Sequence, residues 1–247
     1  MARGSSQWQM MGLKPDRGVI GAMVALTLVW LVFAVGGGEI KLFYLQHLIL
    51  RPRAAFGWEP WQLLTSGFVN VQLRDVFFVA VSLIFFGNPI EQQLGARTFW
   101  KVFIGGAIGG AIFAAALGRL VAPDAHVTGS QPAVTALLMA FGALWGGQQV
   151  RAYGVMQMSA RTMAWIFVAI TAATYIFALG DDWQQALLGL AAMSGAALAG
   201  WLLTRRGGID LGGLGSSFDK MRMWRLKRRY KVLTGGRDAR ADKRWLN

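Results

Sequence analysis

The sequence predicts an all-α membrane protein: a bundle of six transmembrane helices with a long interfacial first loop. The composition points to the bilayer, since 55% of the 247 residues are hydrophobic and only 15% are charged, whereas a soluble domain carries about a quarter charged residues. The apolar residues fall into six runs separated by short polar links, and a spanning helix needs roughly 20 mostly apolar residues. One stretch between the first two runs mixes aromatic residues with charge instead of following either pattern.

The runs are Gly18–Gly36, Phe68–Phe86, Val102–Gly118, Ala133–Leu144, Met163–Leu179 and Leu187–Leu203. Each reads as a helix crossing all or most of the bilayer. The first, preceded by Lys14 and Arg17, is too long for a signal peptide and lacks a small-x-small cleavage pattern after Gly36, so it is expected to be an anchor. The fourth is too short to face lipid alone and belongs at the bundle centre, shielded by its neighbours. Ile40–Pro60, rich in Leu, Phe, Tyr and Trp but broken by Arg51-Pro52-Arg53, suits a chain half-embedded at the interface. The third run carries Gly105, Gly106, Gly109 and Gly110, and the sixth Ala192, Ala196 and Gly200; dense helix packing explains them without a site. The domain division is an N-terminal segment 1–17, a membrane domain 18–203 and a basic tail 204–247.

The net charge of +13 is concentrated after the last run. Even-numbered spans put both termini on one side, and Arg3, Lys14, Arg17, Arg97, Arg151, Arg161 and the tail fall together there, so both termini are expected in the cytoplasm. The expected compartment is a bacterial inner membrane. In the tail, Phe218–Leu233 can form a helix with Met223, Leu226, Tyr230 and Leu233 on one side and Arg225, Arg228 and Arg229 among the cations on the other. It suits an anionic lipid surface or a partner protein, and Trp245 and Leu246 resemble a docking peptide; nucleic acid is not expected for a segment tethered to a membrane domain. With no cysteine a thiolate metal centre has no ligands, His47 and His126 leave almost nothing for an imidazole one, and no cofactor is expected.

Four motifs then occur in a telling order. Trp61-Gln62-Leu63-Leu64-Thr65-Ser66-Gly67-Phe68 opens the second run, Gly87-Asn88-Pro89-Ile90-Glu91-Gln92-Gln93-Leu94-Gly95 follows it, Gly129-Ser130-Gln131-Pro132-Ala133 opens the fourth, and Met193-Ser194-Gly195-Ala196-Ala197-Leu198-Ala199-Gly200 lies in the sixth. Together they resemble the rhomboid intramembrane proteases over Trp61 to Gly200. That resemblance implies a six-helix rhomboid-like bundle in which a serine opening the fourth helix is paired with a histidine on the sixth.

Here the serine position holds Gln131 and the histidine position Met193. An amide cannot become an alkoxide-like nucleophile, and a thioether is no base. In the second helix the resemblance places Asn70 and Asp75 at two histidine positions and Val79 at an asparagine position, so Asn70 retains a donor for an oxyanion while Val79 has none. Arg74 and Asp75 read as lying several residues inside the second run, roughly 10 Å along a helix rising 1.5 Å per residue. As sequence neighbours they should not face each other: Arg74 should snorkel, and Asp75 should face the old cavity and meet Gln131 or water, as a relic or as a binding contact. Ser130 reads as an N-cap and His126 as a solvated loop residue.

The expected function is a catalytically inactive rhomboid-like adaptor that binds transmembrane helices or partner membrane proteins, using the vestigial positions Gln131, Met193, Asn70, Asp75 and Val79 and the tail contacts Arg225, Arg228, Arg229, Leu226, Tyr230, Trp245 and Leu246. The alternative is a permanent accessory subunit of a larger membrane complex. An intramembrane serine protease built on a shifted Ser130 and His126 ranks last.

Overall fold

In the computed structural model, residues 15–147, 149–152, 156–180 and 182–204 are described. The tail contacts Arg225 to Leu246 lie outside them. Helix α1 spans Arg17–Val35. The first loop holds α2 (Gly38–Phe43), a π-helical turn Tyr44–Leu48, and the short helices α3 (Pro52–Ala55) and α4 (Gln62–Thr65). Helix α5 (Leu73–Ser82) runs through a second π turn, Leu83–Gly87, into α6 (Asn88–Leu94). After it come α7 (Ala96–Val121), α8 (Gln131–Trp145), α9 (Ala160–Ala178) and α10 (Trp183–Thr204).

Five helical segments are long and apolar enough to cross a membrane: Arg17–Val35, Leu73–Leu94, Ala96–Val121, Ala160–Ala178 and Trp183–Thr204. Gln131–Trp145 is the shorter sixth, and ten of its residues are buried, Ala133 to Leu138 without interruption. Such a helix need not match the full bilayer thickness, because α7, α9 and α10 replace lipid around it. The second span begins at Leu73, five residues later than its apolar run, because Ser66 to Gln72 is turn and extended chain. One polar link adds an element that hydropathy does not show. Gln149–Ala152 pairs antiparallel with Met156–Ser159, Gln149 opposite Ser159, which satisfies backbone groups between α8 and α9.

The centre is the α7–α8–α10 triad. Without a strong hydrophobic drive between helices in lipid, close van der Waals contact and small residues hold such a centre together. Gly109 on α7 and Gly195 on α10 press backbone to backbone: a Cβ on Gly109 would lie 3.1 Å from the Gly195 carbonyl oxygen, and one on Gly195 would lie 2.5 Å from the Gly109 oxygen. The main apolar core holds Phe99, Phe103, Leu137 and Ala196, all fully buried. Helix α9 is the least buried of the five long segments; it lies mainly along α8 and exposes Trp165, Ile166, Phe167, Ile170 and Phe177.

Two polar knots fix the two ends of the bundle. At the end where α1 begins, the Glu91 carboxylate of α6 accepts the Gly18 and Val19 N–H groups, both at 2.7 Å, and Asn88 Oδ1 accepts the Asp16 N–H at 3.0 Å. Helix α1 has no side-chain cap of its own, so α6 supplies acceptors for orphan donors of its first turn. The indole of Trp145, at the end of α8, donates to Gln93 Oε1 at 3.1 Å.

At the opposite end Glu59 gathers the first loop. His47 Nδ1 lies 2.7 Å from its Oε1 and Arg51 Nη2 3.2 Å from its Oε2, which also accepts a close hydrogen bond from Gln62 Nε2. The fully buried Gln62 accepts the Arg51 N–H at 2.9 Å and donates to the Gln46 carbonyl at 3.1 Å. Trp61 donates to the His47 carbonyl at 2.9 Å and Thr65 to the Leu48 carbonyl at 2.8 Å. The polar residues of the Trp-Gln-Leu-Leu-Thr motif therefore tie down segment 46–51. Burial pushes the Glu59 carboxyl up, but the hydrogen bonds and charges of His47 and Arg51 outweigh it and hold the group below its ordinary value.

Candidate functional site

The site lies where the first loop, the α7 face and the start of α8 converge. Leu50 pairs with Val127 through two main-chain hydrogen bonds, 3.1 and 2.9 Å, and the Arg53 N–H reaches the Pro123 carbonyl at 3.1 Å. This strap covers a small, mainly apolar cleft lined by Leu50, Ser66, Gly67, Ala107, Ala111, Val127, Gly129, Pro132 and Ala192.

Ser130 is fully buried beside the cleft. Its hydroxyl donates to the Gly67 carbonyl at 2.7 Å and accepts from Asn70 Nδ2 at 2.9 Å, while its own N–H donates to Asn70 Oδ1 at 3.2 Å. Gly129, at φ +112°, adds a hydrogen bond from its N–H to the Ser66 carbonyl at 3.2 Å. The left-handed glycine lets the chain turn into α8. Ser130 occupies the N-cap position, yet its side chain makes no cap hydrogen bond. Ser130 is thus the N-cap residue expected, but its hydroxyl crosslinks two loops, and Pro132, early in the first turn, fixes where the helix starts.

Asn70 was expected to retain a free donor for an oxyanion. The structure commits its amide to Ser130, at 1% exposure. Gln131 is half-buried and Met193 buried. Their chain neighbours Pro132 and Ala192 both line the cleft, so the start of α8 and this turn of α10 face each other. Val79 is fully buried in the main core cluster.

Arg74 and Asp75 depart from expectation. They lie in the first turn of α5, not a third of the way down a span. Arg74 Nε sits 3.6 Å from Asp75 Oδ1, and Arg74 Nη2 donates to Gln72 Oε1 at 2.8 Å. At a helix start the long guanidinium arm folds back over the end, which the rule for mid-helix neighbours does not cover. Farther down, Phe86 and Phe167 meet edge to face at 5.2 Å.

His126 is exposed, as expected, and its carbonyl accepts from Gln185 Nε2 at 2.9 Å. Among the described residues the Ser130 hydroxyl hydrogen-bonds to the Asn70 amide and the Gly67 carbonyl, and neither partner is an imidazole. Sequence reasoning missed the roles of Glu91 and Glu59. For Glu59 a signal was present, a lone carboxylate between Trp58 and Trp61 that requires paired donors when buried, whereas the partners of Glu91 are backbone groups.

Fold and packing define a polytopic helical integral membrane protein. The chain belongs to the family described as eukaryotic integral membrane protein (DUF1751), whose profile matches residues 17–205. That description does not support the bacterial inner membrane expected from the sequence. No curated protein matches the chain.

Proposed function

We propose that this protein is a catalytically inactive, rhomboid-like adaptor that holds transmembrane helices or partner membrane proteins without cutting them. The observation that carries this reading is the state of the α8 start. Gln131 stands where a nucleophile is needed, and the adjacent hydroxyl of Ser130 is donated to the Gly67 carbonyl and held by Asn70. A hydroxyl so engaged, beside a helix that offers Met193 in place of a base, has no route to an alkoxide.

Binding is supported by a different surface. Helix α5 exposes Phe77 and Phe78, and α9 exposes Phe167, Ile170 and Phe177. Both belong to segments that meet below, where Phe86 of the π turn after α5 packs edge to face on Phe167 of α9. A partner helix laid there would replace lipid with side-chain contacts. Photocrosslinking residues placed at Phe78 and Ile170 test this: adducts with intact membrane-spanning proteins support the adaptor, and adducts with lipid alone refute it.

A second reading, a permanent accessory subunit, is favoured by the extent of apolar surface on α1 and α9 together with the basic tail. One stoichiometric set of subunits in native preparations selects it over a spectrum of clients. In both readings the termini face the cytoplasm. Since the chain has no cysteine, single cysteines introduced at the Gly95 turn and at Asp182 report sidedness directly with an impermeant thiol reagent.

A further inference from the structure

Helices α1 and α7 start at the same end of the bundle, because α6, which immediately precedes α7, holds the first turn of α1 through Glu91. They run side by side from there. Gly21 on α1 faces Trp100 on α7: a Cβ on Gly21 would lie 3.7 Å from the indole ring. The missing side chain leaves a shallow groove with the half-buried Trp100 as its floor.

Three exposed cations lie within one helical turn of this contact along the two helices. Arg17 lies one helical turn before Gly21, Arg97 one turn before Trp100, and Lys101 directly after it. Neither helix has an acidic residue in its first turn. Glu91 is spent on the backbone of α1, and the ion pairs among the described residues involve none of the three cations. Trp100 meets Phe99 and Phe103 edge to face, and no acceptor takes its indole N–H among the described residues. Above the cations the walls become apolar, with Ile20 and Val24 exposed on α1 and Ile104 half-buried on α7.

We infer that this α1–α7 groove binds an anionic glycerophospholipid, its phosphate among Arg17, Arg97 and Lys101 and an acyl chain along Ile20, Val24 and Ile104. The occupant follows from complementarity. Uncompensated cations and an unused indole donor at headgroup depth want a phosphate, and the apolar track that continues from them wants a hydrocarbon chain. A soluble anion would use the first and leave the second bare. This site shares no residue with the α8 cleft, so it stands whether or not the adaptor reading holds.

The test uses the full-length protein in phosphatidylcholine vesicles doped with phosphatidylglycerol that carries a diazirine on one acyl chain. A parallel arm places the same diazirine on phosphatidylcholine. After irradiation, adducts are mapped by peptide mass spectrometry, with labelling of α9 as the internal reference for a folded bundle. The phosphatidylglycerol probe should concentrate on residues 17–24 and 97–104. Labelling there should fall about fivefold for each cation neutralised in an Arg17→Gln, Arg97→Gln, Lys101→Gln series, while labelling of α9 stays constant. An Arg17→Lys, Arg97→Lys, Lys101→Arg variant keeps the charges and should keep the labelling, which separates binding from a folding defect. Equal labelling by the two lipids, unchanged labelling in the neutral variants, or competition by inorganic phosphate would each overturn the assignment.

Discussion

Asn70 and Ser130 hold each other through two hydrogen bonds, Nδ2 to Oγ at 2.9 Å and backbone N–H to Oδ1 at 3.2 Å, across sixty positions of sequence. The pair fastens the chain before α5 to the start of α8, and the Ser130 hydroxyl adds the Gly67 carbonyl to the same knot. Ser130→Ala strips the Gly67 carbonyl and the Asn70 amide of a partner in a buried place. It should cost about 1–3 kcal/mol, read as a lower unfolding midpoint in detergent. A Ser130→Ala protein as stable as the parent would show that the knot contributes nothing.

Glu91 and Gly18 make the second prediction. The carboxylate receives two N–H groups at 2.7 Å, and a Cβ on Gly18 would come within 2.7 Å of its Oε1. Glu91→Ala leaves two buried donors bare, at about 1–3 kcal/mol each, and Gly18→Ala should be destabilising by displacing the same carboxylate. Glu91→Gln, which keeps an acceptor but loses the charge, should fall between parent and Glu91→Ala. Thermal unfolding of the three variants checks the order.

The first loop should be acid-sensitive through Glu59. Its carboxyl is held below the ordinary value of 4.5 in the folded protein by His47 and Arg51. A depressed folded-state value means that the unfolded chain takes up the proton first. The stabilisation is therefore complete above 4.5 and disappears as pH falls below it through the lowered value. Hydrogen exchange of residues 44–65 should rise over that window, and Glu59→Gln should raise it at neutral pH and flatten the dependence.

For the tail, the two modes of attachment separate by salt. Attachment through lipid should weaken as salt shortens the Debye length from about 8 Å, and reversing Arg225, Arg228 and Arg229 should release it. Docking to a fixed subunit should instead depend on Leu226 and Tyr230, each buried side chain contributing roughly 1.5–3 kcal/mol. We expect the double variant Leu226→Ala, Tyr230→Ala to dissociate co-purifying proteins at low salt. Co-purification that survives deletion after Arg206 would leave the helical bundle as the binding surface.

Hydropathy alone located all six helices, because the bilayer demands apolar length and little else from a span. The short fourth run was legible as central for the same reason. What the pattern could not give was the start of α5. Phe68, Val69 and Val71 read as part of the apolar run, but Ser66 to Gln72 is turn and extended chain in which Asn70 reaches Ser130, a tertiary demand with no local signature. The Arg74–Asp75 pair was misread as a consequence, since the depth assigned to both depended on that boundary. Glu91 stood in a motif whose spacing was visible, but its partners are backbone groups seventy residues away, which no side-chain pattern announces.

The central claim, that the chain does not cleave its partners, is tested most directly by labelling the full-length protein in native membranes with a serine-directed fluorophosphonate and mapping any adduct. The account predicts no adduct in the parent and none at position 131 in Gln131→Ser, because on the proposed reading Met193 offers no base to a restored hydroxyl and the members of such a dyad act only as a unit. An adduct on Ser130 of the parent would contradict it.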